Sequence, residues 1–139
     1  MAECCGDNTR LIYSCSGCAD VGEIADRVAR KLYKNGYGKM SCLAGIGARM
    51  SGFIESAKSA ENITIDGCPV ACARKNLEGI KLTPRSFILT EMGLTKGKTK
   101  VTSQVINKIV KTISAKAVEK SDPAGTSKGK SSCDCGGKC

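Results

Sequence analysis

The chain has 139 residues, enough for one domain built around one hydrophobic core. Ten residues are cysteines and none is histidine, which excludes Cys–His catalytic pairs and mixed Cys/His zinc sites. The formal charge is +9, and the basic excess lies after residue 80, where twelve Lys and Arg stand against four Asp and Glu. No aromatic residues interleave with these lysines, so we expect a solvated helix face and tail and no nucleic-acid partner.

Neither end of the chain predicts a membrane or secretory segment. Residues 1–10 are polar and lack the apolar stretch of a signal peptide. No segment approaches the ~18 apolar residues of a membrane span. We therefore expect a cytoplasmic protein whose thiols stay reduced, in which a cysteine excess indicates metal or redox chemistry.

Four short apolar runs, each followed by a helical pattern, predict four strand–helix units. The predicted strands cover residues 11–14, 39–43, 62–65 and 86–90. After the first strand, Asp20 and Glu23 resemble a helix capping box, and a glycine-containing turn at 44–47 follows the second. The apolar residues that repeat with helical spacing are Val21, Ile24, Ala25, Val28 and Leu32; then Met50, Phe53, Ile54 and Ala57; then Val105, Ile106, Ile109, Val110 and Ile113. Thr102 or Ser103 is the predicted cap of the last helix.

This alternation predicts an α/β fold of three layers, α/β/α, around a four-stranded, mostly parallel sheet of the Rossmann-like or flavodoxin-like kind. The domain is expected to cover residues 10–119. Residues 1–9 are predicted to form a flexible arm. Residues 120–139, rich in Ser, Gly and Lys, are predicted to form a flexible tail that ends in a cysteine cluster.

Cysteines follow three of the predicted strands. The stretch from Asp66 to Cys72 reads DGCPVAC, where Gly67 permits a sharp turn and Pro69 suits the first position of a helix. The strand-to-helix turns of a parallel sheet meet at one edge, so five thiols are expected there: Cys15, Cys18, Cys42, Cys68 and Cys72. Four thiolates satisfy tetrahedral zinc, and the same set would hold an iron–sulfur cluster.

Several blocks of the sequence resemble one known family. The blocks are CSG (15–17), ADVGEIADR (19–27), MSCLAGIG (40–47) and IDGCP (65–69) with Cys72. They resemble the zinc-binding proteins named for a DGC motif, over roughly residues 10–113. The resemblance implies zinc held by Cys15, Cys42, Cys68 and Cys72, and it implies no settled reaction. Cys18 lies outside the fixed positions of that family.

A thiol-based enzyme is the alternative interpretation. Cys15 and Cys18 form a Cys-x-x-Cys pair after a strand, as in redox motifs, and Cys68 with Cys72 is a second pair for disulfide or metalloid reduction or sulfur transfer. Cys68 and Arg74 also have the spacing of cysteine phosphatases. The phosphate cradle would lack glycines, however, and Pro69 removes a donor.

The sequence favours a binding protein over an enzyme. We expect it to bind a thiophilic metal ion, zinc first, in storage, sensing or delivery, with a protein that exchanges metal or thiols as a further partner. Asp66 and Glu23 are interpreted as a turn-forming residue and a helix cap, with second-shell or acid–base roles as the alternative. Five terminal cysteines are candidates for capturing a metal and passing it on, or an incidental thiol cluster: Cys4, Cys5, Cys133, Cys135 and Cys139.

Overall fold

A computed structural model describes residues 9–15, 17 and 19–118 of the chain. Its sheet has four parallel strands: β1 (Arg10–Ser14), β2 (Lys39–Met40), β3 (Glu61–Asp66) and β4 (Arg85–Ile88). Their order across the sheet is β2-β1-β3-β4. The predicted three-layer α/β fold with a parallel sheet is confirmed.

Five α-helices connect and cover the strands. They are α1 (Asp20–Lys34), α2 (Leu43–Gly47), α3 (Ser51–Lys58), α4 (Cys72–Glu78) and α5 (Ser103–Val118), with a short 3-10 helix at Leu89–Met92. Helices α1 and α5 pack against each other. No helix in the described part of the chain is long and apolar enough to cross a bilayer.

Two buried clusters fill the two sides of the sheet. Alternate residues of a strand point to opposite faces, so Ile12, Ile63 and Ile65 join the cluster that contains the apolar residues of α1 and α5. Leu11 and Tyr13 instead join residues of α2, α3 and α4. The helical spacing predicted the buried faces of α1 and α5 correctly, since all of the predicted apolar residues are buried except the half-buried Val105.

The start of α1 differs from the predicted capping box. Ala19 is the cap residue and makes no side-chain cap bond. Glu23 instead forms an exposed ion pair with Arg27, 2.7 Å apart, and the Asp20 carboxylate accepts the Val21 N–H at 2.8 Å. The prediction of a reciprocal box was therefore wrong. At α5, by contrast, the Thr102 hydroxyl accepts the Val105 N–H at 3.3 Å, as predicted.

The segment after β2 also differs from its prediction. β2 contains two residues instead of five, and the predicted turn at residues 44–47 lies within the short helix α2. Gly45 explains the tight packing of this helix, since a Cβ there would lie 2.5 Å from the Phe53 ring. The prediction of a turn at these glycines was therefore wrong: they belong to helix α2, where Gly45 permits close packing.

The strand order decides which turns are neighbours. The chain leaves β1 for β2 on one side and then crosses to β3 on the other side of β1. A crevice forms where consecutive connections leave a parallel sheet in opposite directions, and ligands bind there. In this protein the crevice lies at the carboxyl ends of β1 and β3, which are directly paired from Arg10 with Glu61 to Ser14 with Ile65.

Candidate thiol site

A cavity of about 250 Å³ opens at the carboxyl ends of β1 and β3. We call it the thiol cavity, because Cys15, Cys68 and Cys72 line it. Its other lining residues are mostly small or apolar: Gly17, Ala19, Val21, Gly22, Leu43, Gly67, Val70 and Lys96. The fold therefore gathers three of the five predicted thiols around one space.

Cys15 is fixed by hydrogen bonds on both its backbone and its side chain. Its N–H donates to the Ile65 carbonyl at 2.9 Å, which extends the β1–β3 ladder by one residue. Its Sγ accepts the Gly67 N–H at 3.0 Å. Cys15 is thus held by the same turn that carries Cys68.

Gly67 allows the β3–α4 turn to lie directly on the first turn of α1. A Cβ at this position would be 2.7 Å from the Val21 backbone carbon and oxygen, and 2.8 Å from the Gly22 nitrogen. These are backbone atoms, which cannot move aside as a flexible side chain can. Only glycine therefore fits where the Cys15 sulfur receives its hydrogen bond.

A strained residue separates the other two thiols. Ala71 is fully buried and left-handed, with φ 53° and ψ 50°, and its N–H donates to the Cys68 carbonyl at 3.0 Å. Such a conformation costs a non-glycine residue roughly 1–3 kcal/mol. It makes α4 begin at Cys72, so the prediction that Pro69 opens the helix was wrong. Cys68 is half-buried in the turn, and Cys72 is exposed.

Asp66 ties the end of β3 to the start of α4. Its two carboxylate oxygens accept the N–H groups of Ala73 at 2.8 Å and Arg74 at 3.1 Å. The residue is buried, and burial raises the pKa of its carboxyl, while these two hydrogen bonds lower it. Asp66 is therefore a structural side chain that caps a helix across a turn, in agreement with the interpretation that it shapes this turn.

Burial also raises the pKa of the Cys15 thiol above its usual value of 9.0. The Gly67 N–H opposes this effect, while negative charge on Asp66, Cys72 and Cys68 adds to it. Cys68 and Cys72 thus lie close enough to Cys15 for a negative charge on either to raise the pKa of the Cys15 thiol. At neutral pH, Cys15 is accordingly a protonated thiol in the absence of a ligand.

We expect Cys15 to react slowly with iodoacetamide below pH 9, because thiolate is the reactive form. The rate should still be rising above pH 9, and Asp66→Asn should shift the curve to lower pH by removing a negative charge. Mass spectrometry of the labelled peptides follows each cysteine separately. A Cys15 rate that levels off below pH 8 would contradict this assignment.

Of the remaining predicted site thiols, Cys42 is the one that lies within the described residues. Cys42 is the exposed cap residue of α2 at the end of β2, two strands from β3, and it does not line the cavity, although Leu43 does. Cys18 lies outside the described residues, as do the five terminal cysteines. Within residues 9–15, 17 and 19–118, no three Cys, Asp or Glu side chains are arranged to hold a metal ion.

Lys96 is a site residue that the sequence did not reveal. Its Nζ lies 3.9 Å from the Cys68 Sγ, and it lines the cavity. In the sequence it is one of several lysines in a polar loop, with no signal that separates it from Lys98 or Lys100. Arg74, the other cation considered near Cys68, pairs with Glu78 at 3.5 Å and does not line the cavity.

Comparison with known proteins gives a family for this chain. The model of the DGC domain matches residues 11–113. The anaerobic and virulence modulator AnvM of Pseudomonas aeruginosa is 35% identical over 92 residues, which cover 65% of this chain and 70% of that protein. No solved structure matched. Since the family match spans most of the chain, this protein belongs to the DGC domain family.

Proposed function

We propose that the protein binds a thiophilic metal ion, with zinc as the first candidate, through Cys15, Cys68 and Cys72. The observation that carries this proposal is that three thiols from two neighbouring strand ends line one cavity. Thiolate sulfur is a preferred ligand of zinc, and a set of thiolates also suits an iron–sulfur cluster. Cys42 is the candidate fourth ligand, because Leu43 beside it lines the cavity.

The donor chemistry fits a soft metal, but the thiols must converge to reach it. No three potential ligands of the described residues stand in a ligating arrangement. The cavity offers about 250 Å³ in which the side chains of Cys15, Cys68 and Cys72 can turn inward. Binding also has to displace the Cys15 proton, so affinity should increase with pH.

Among the described residues, one cavity of about 250 Å³ is lined by three thiols and can hold few ions, which suits sensing or delivery better than bulk storage. The relative AnvM is named an anaerobic and virulence modulator. A metal or thiol site that reports on the state of the cell would be consistent with such a role. We therefore propose a regulatory or carrier function, in which loading of the thiol cavity is the signal or the cargo.

The test is metal titration of the full chain purified without oxygen, in a background where Cys133, Cys135 and Cys139 are serine. We expect about one tightly held zinc or cobalt ion per chain, with thiolate-to-cobalt charge-transfer absorption. Replacing Cys15, Cys68 or Cys72 by serine should lower affinity at least about tenfold, because losing a residue that only orients a metal ligand already costs roughly that much. Cys42→Ser should have the smaller effect, because Cys42 does not line the cavity.

A thiol-based reductase or sulfur carrier is the second candidate. It is favoured by the contact of Cys68 with Lys96 and by the exposure of Cys72 four residues later. If the chain binds no metal and remains folded in a chelator, the metal proposal fails and this candidate takes its place. A disulfide between Cys68 and Cys72 after mild oxidation would then be the first product to look for.

A further inference from the structure

A short turn at residues 95–99 brings one cation to the thiol cavity. Lys96 Nζ lies 3.9 Å from Cys68 Sγ. Of the described residues that line the cavity, Lys96 is the one basic residue, and none is Asp or Glu. The cavity otherwise presents thiols, glycines and apolar side chains. Its electrostatic character therefore depends on the position of this single ammonium group.

Asp20 holds the turn against the start of α1. Its Oδ1 accepts the Gly97 N–H at 2.8 Å, and its Oδ2 accepts the Thr99 N–H at 3.0 Å. The same carboxylate accepts the Val21 N–H at 2.8 Å. Gly97 and Thr99, the first and third residues after Lys96, are thus attached to the helix whose first turn forms one wall of the cavity.

The turn is also braced from within. The Thr99 hydroxyl donates to the Thr95 carbonyl at 2.8 Å and accepts the Thr95 N–H at 2.9 Å. Gly97 has φ +80°, a conformation that glycine adopts without strain. Together with the hydrogen bonds to Asp20, these contacts restrict the backbone conformation of the turn. They therefore restrict the position of the Lys96 Cα, from which the side chain extends.

We propose that the thiol cavity selects small ligands with negative charge, that Lys96 determines this specificity, and that Asp20 is its positioning residue. The proposal rests on the thiol cavity being the binding site, and it adds the class of ligand. An ammonium beside a thiol attracts an approaching anion and opposes a cation. A metal would then arrive as an anionic complex with small thiolate or carboxylate ligands. Each cysteine sulfur that binds the metal would displace one of these ligands, and the thiol proton would leave with the displaced ligand or to water.

The test compares two reagents that alkylate the same thiolate, iodoacetate and iodoacetamide. In both reactions the thiolate sulfur forms a bond to the CH₂ carbon and iodide leaves, but only iodoacetate carries a negative charge. The ratio of the two rates at Cys68 does not depend on the thiolate fraction, which is common to both. We expect Lys96→Met to lower this ratio about fourfold at low salt, the factor for one charge at roughly 5 Å in water.

Three comparisons separate a charge effect from a structural one. Lys96→Arg should keep the ratio, and Lys98→Met, on the same turn but not lining the cavity, should leave it unchanged. Asp20→Asn removes a negative charge, which by itself would raise the ratio, so a lower ratio in the wild-type background would report displacement of Lys96. Combined with Lys96→Met, it should not lower the ratio further, because the positioning effect acts through Lys96. Salt at about 1 M should abolish the differences, since screening is then effective over about 3 Å.

Cys42 is the internal reference, and fragmentation of the labelled peptide distinguishes Cys68 from Cys72. An unchanged ratio in Lys96→Met, or an equal fall in Lys98→Met, would overturn the proposal. Failure of the chain to bind zinc would overturn the metal function but leave this ratio interpretable. The two proposals therefore fail by different measurements.

Discussion

Gly67→Ala is expected to lower the free energy of unfolding by about 3 kcal/mol. This is the upper end of the usual cost of inserting one extra carbon into a well-packed site. The added Cβ would stand 2.7 Å from the Val21 backbone, so the β3–α4 turn and α1 must separate. That separation also removes the Gly67 N–H from the Cys15 sulfur. Stability and metal affinity should therefore fall together.

Denaturant unfolding followed by circular dichroism measures this loss, and a metal titration under native conditions measures the second effect. Gly52→Ala is the matched control. Gly52 lies in α3, and a Cβ there would meet nothing within 4 Å, so alanine should be neutral or stabilise by up to about 1 kcal/mol. Equal behaviour of the two alanine variants would show that the close approach at Gly67 has no energetic consequence.

Asp66→Ala is expected to lower the free energy of unfolding by about 2 kcal/mol, because the N–H groups of Ala73 and Arg74 lose their acceptors. The start of α4 carries Cys72, so the variant should also loosen one side of the thiol cavity. Asp66→Asn retains one side-chain oxygen and should lose less. Removing the buried charge offsets part of the loss in both variants.

The control for Asp66 is Glu55→Ala, which removes a carboxylate whose partner is the exposed Lys58, 2.9 Å away. Exposed ion pairs of this kind contribute roughly 0.2–1 kcal/mol or less to stability, so the stability of this variant should be close to that of wild type. Hydrogen exchange at the amides of residues 73 and 74 would locate the effect. If both amides are protected from exchange as strongly in Asp66→Ala as in wild type, the capping role is refuted.

Local patterns predicted most of the secondary structure, because burial imposes a periodicity that a sequence displays directly. The apolar stripes of α1 and α5 and the short runs of β1 and β3 were read correctly, since each lies against the core along its length. The predicted β2 was too long, because its predicted residues continue into α2. There the packing of Gly45 against Phe53 determines the backbone.

The errors at the two helix starts have different causes. Asp20 has the local signature of a cap, yet its carboxylate accepts a hydrogen bond from Gly97, 77 residues away in the chain, and a local signature contains no information about such a contact. Pro69 suits the first helical position, yet the left-handed Ala71, whose N–H donates to the Cys68 carbonyl, makes α4 begin at Cys72.

The sequence by itself placed thiols at strand ends and predicted one edge where they would meet. Only the tertiary structure decided which of them do meet, because the number of strands does not specify their order. With β1 beside β3, Cys15 shares a cavity with Cys68 and Cys72, while Cys42 at the end of β2 does not line it. Lys96 joined the site through backbone contacts to Asp20, which no spacing in the sequence records.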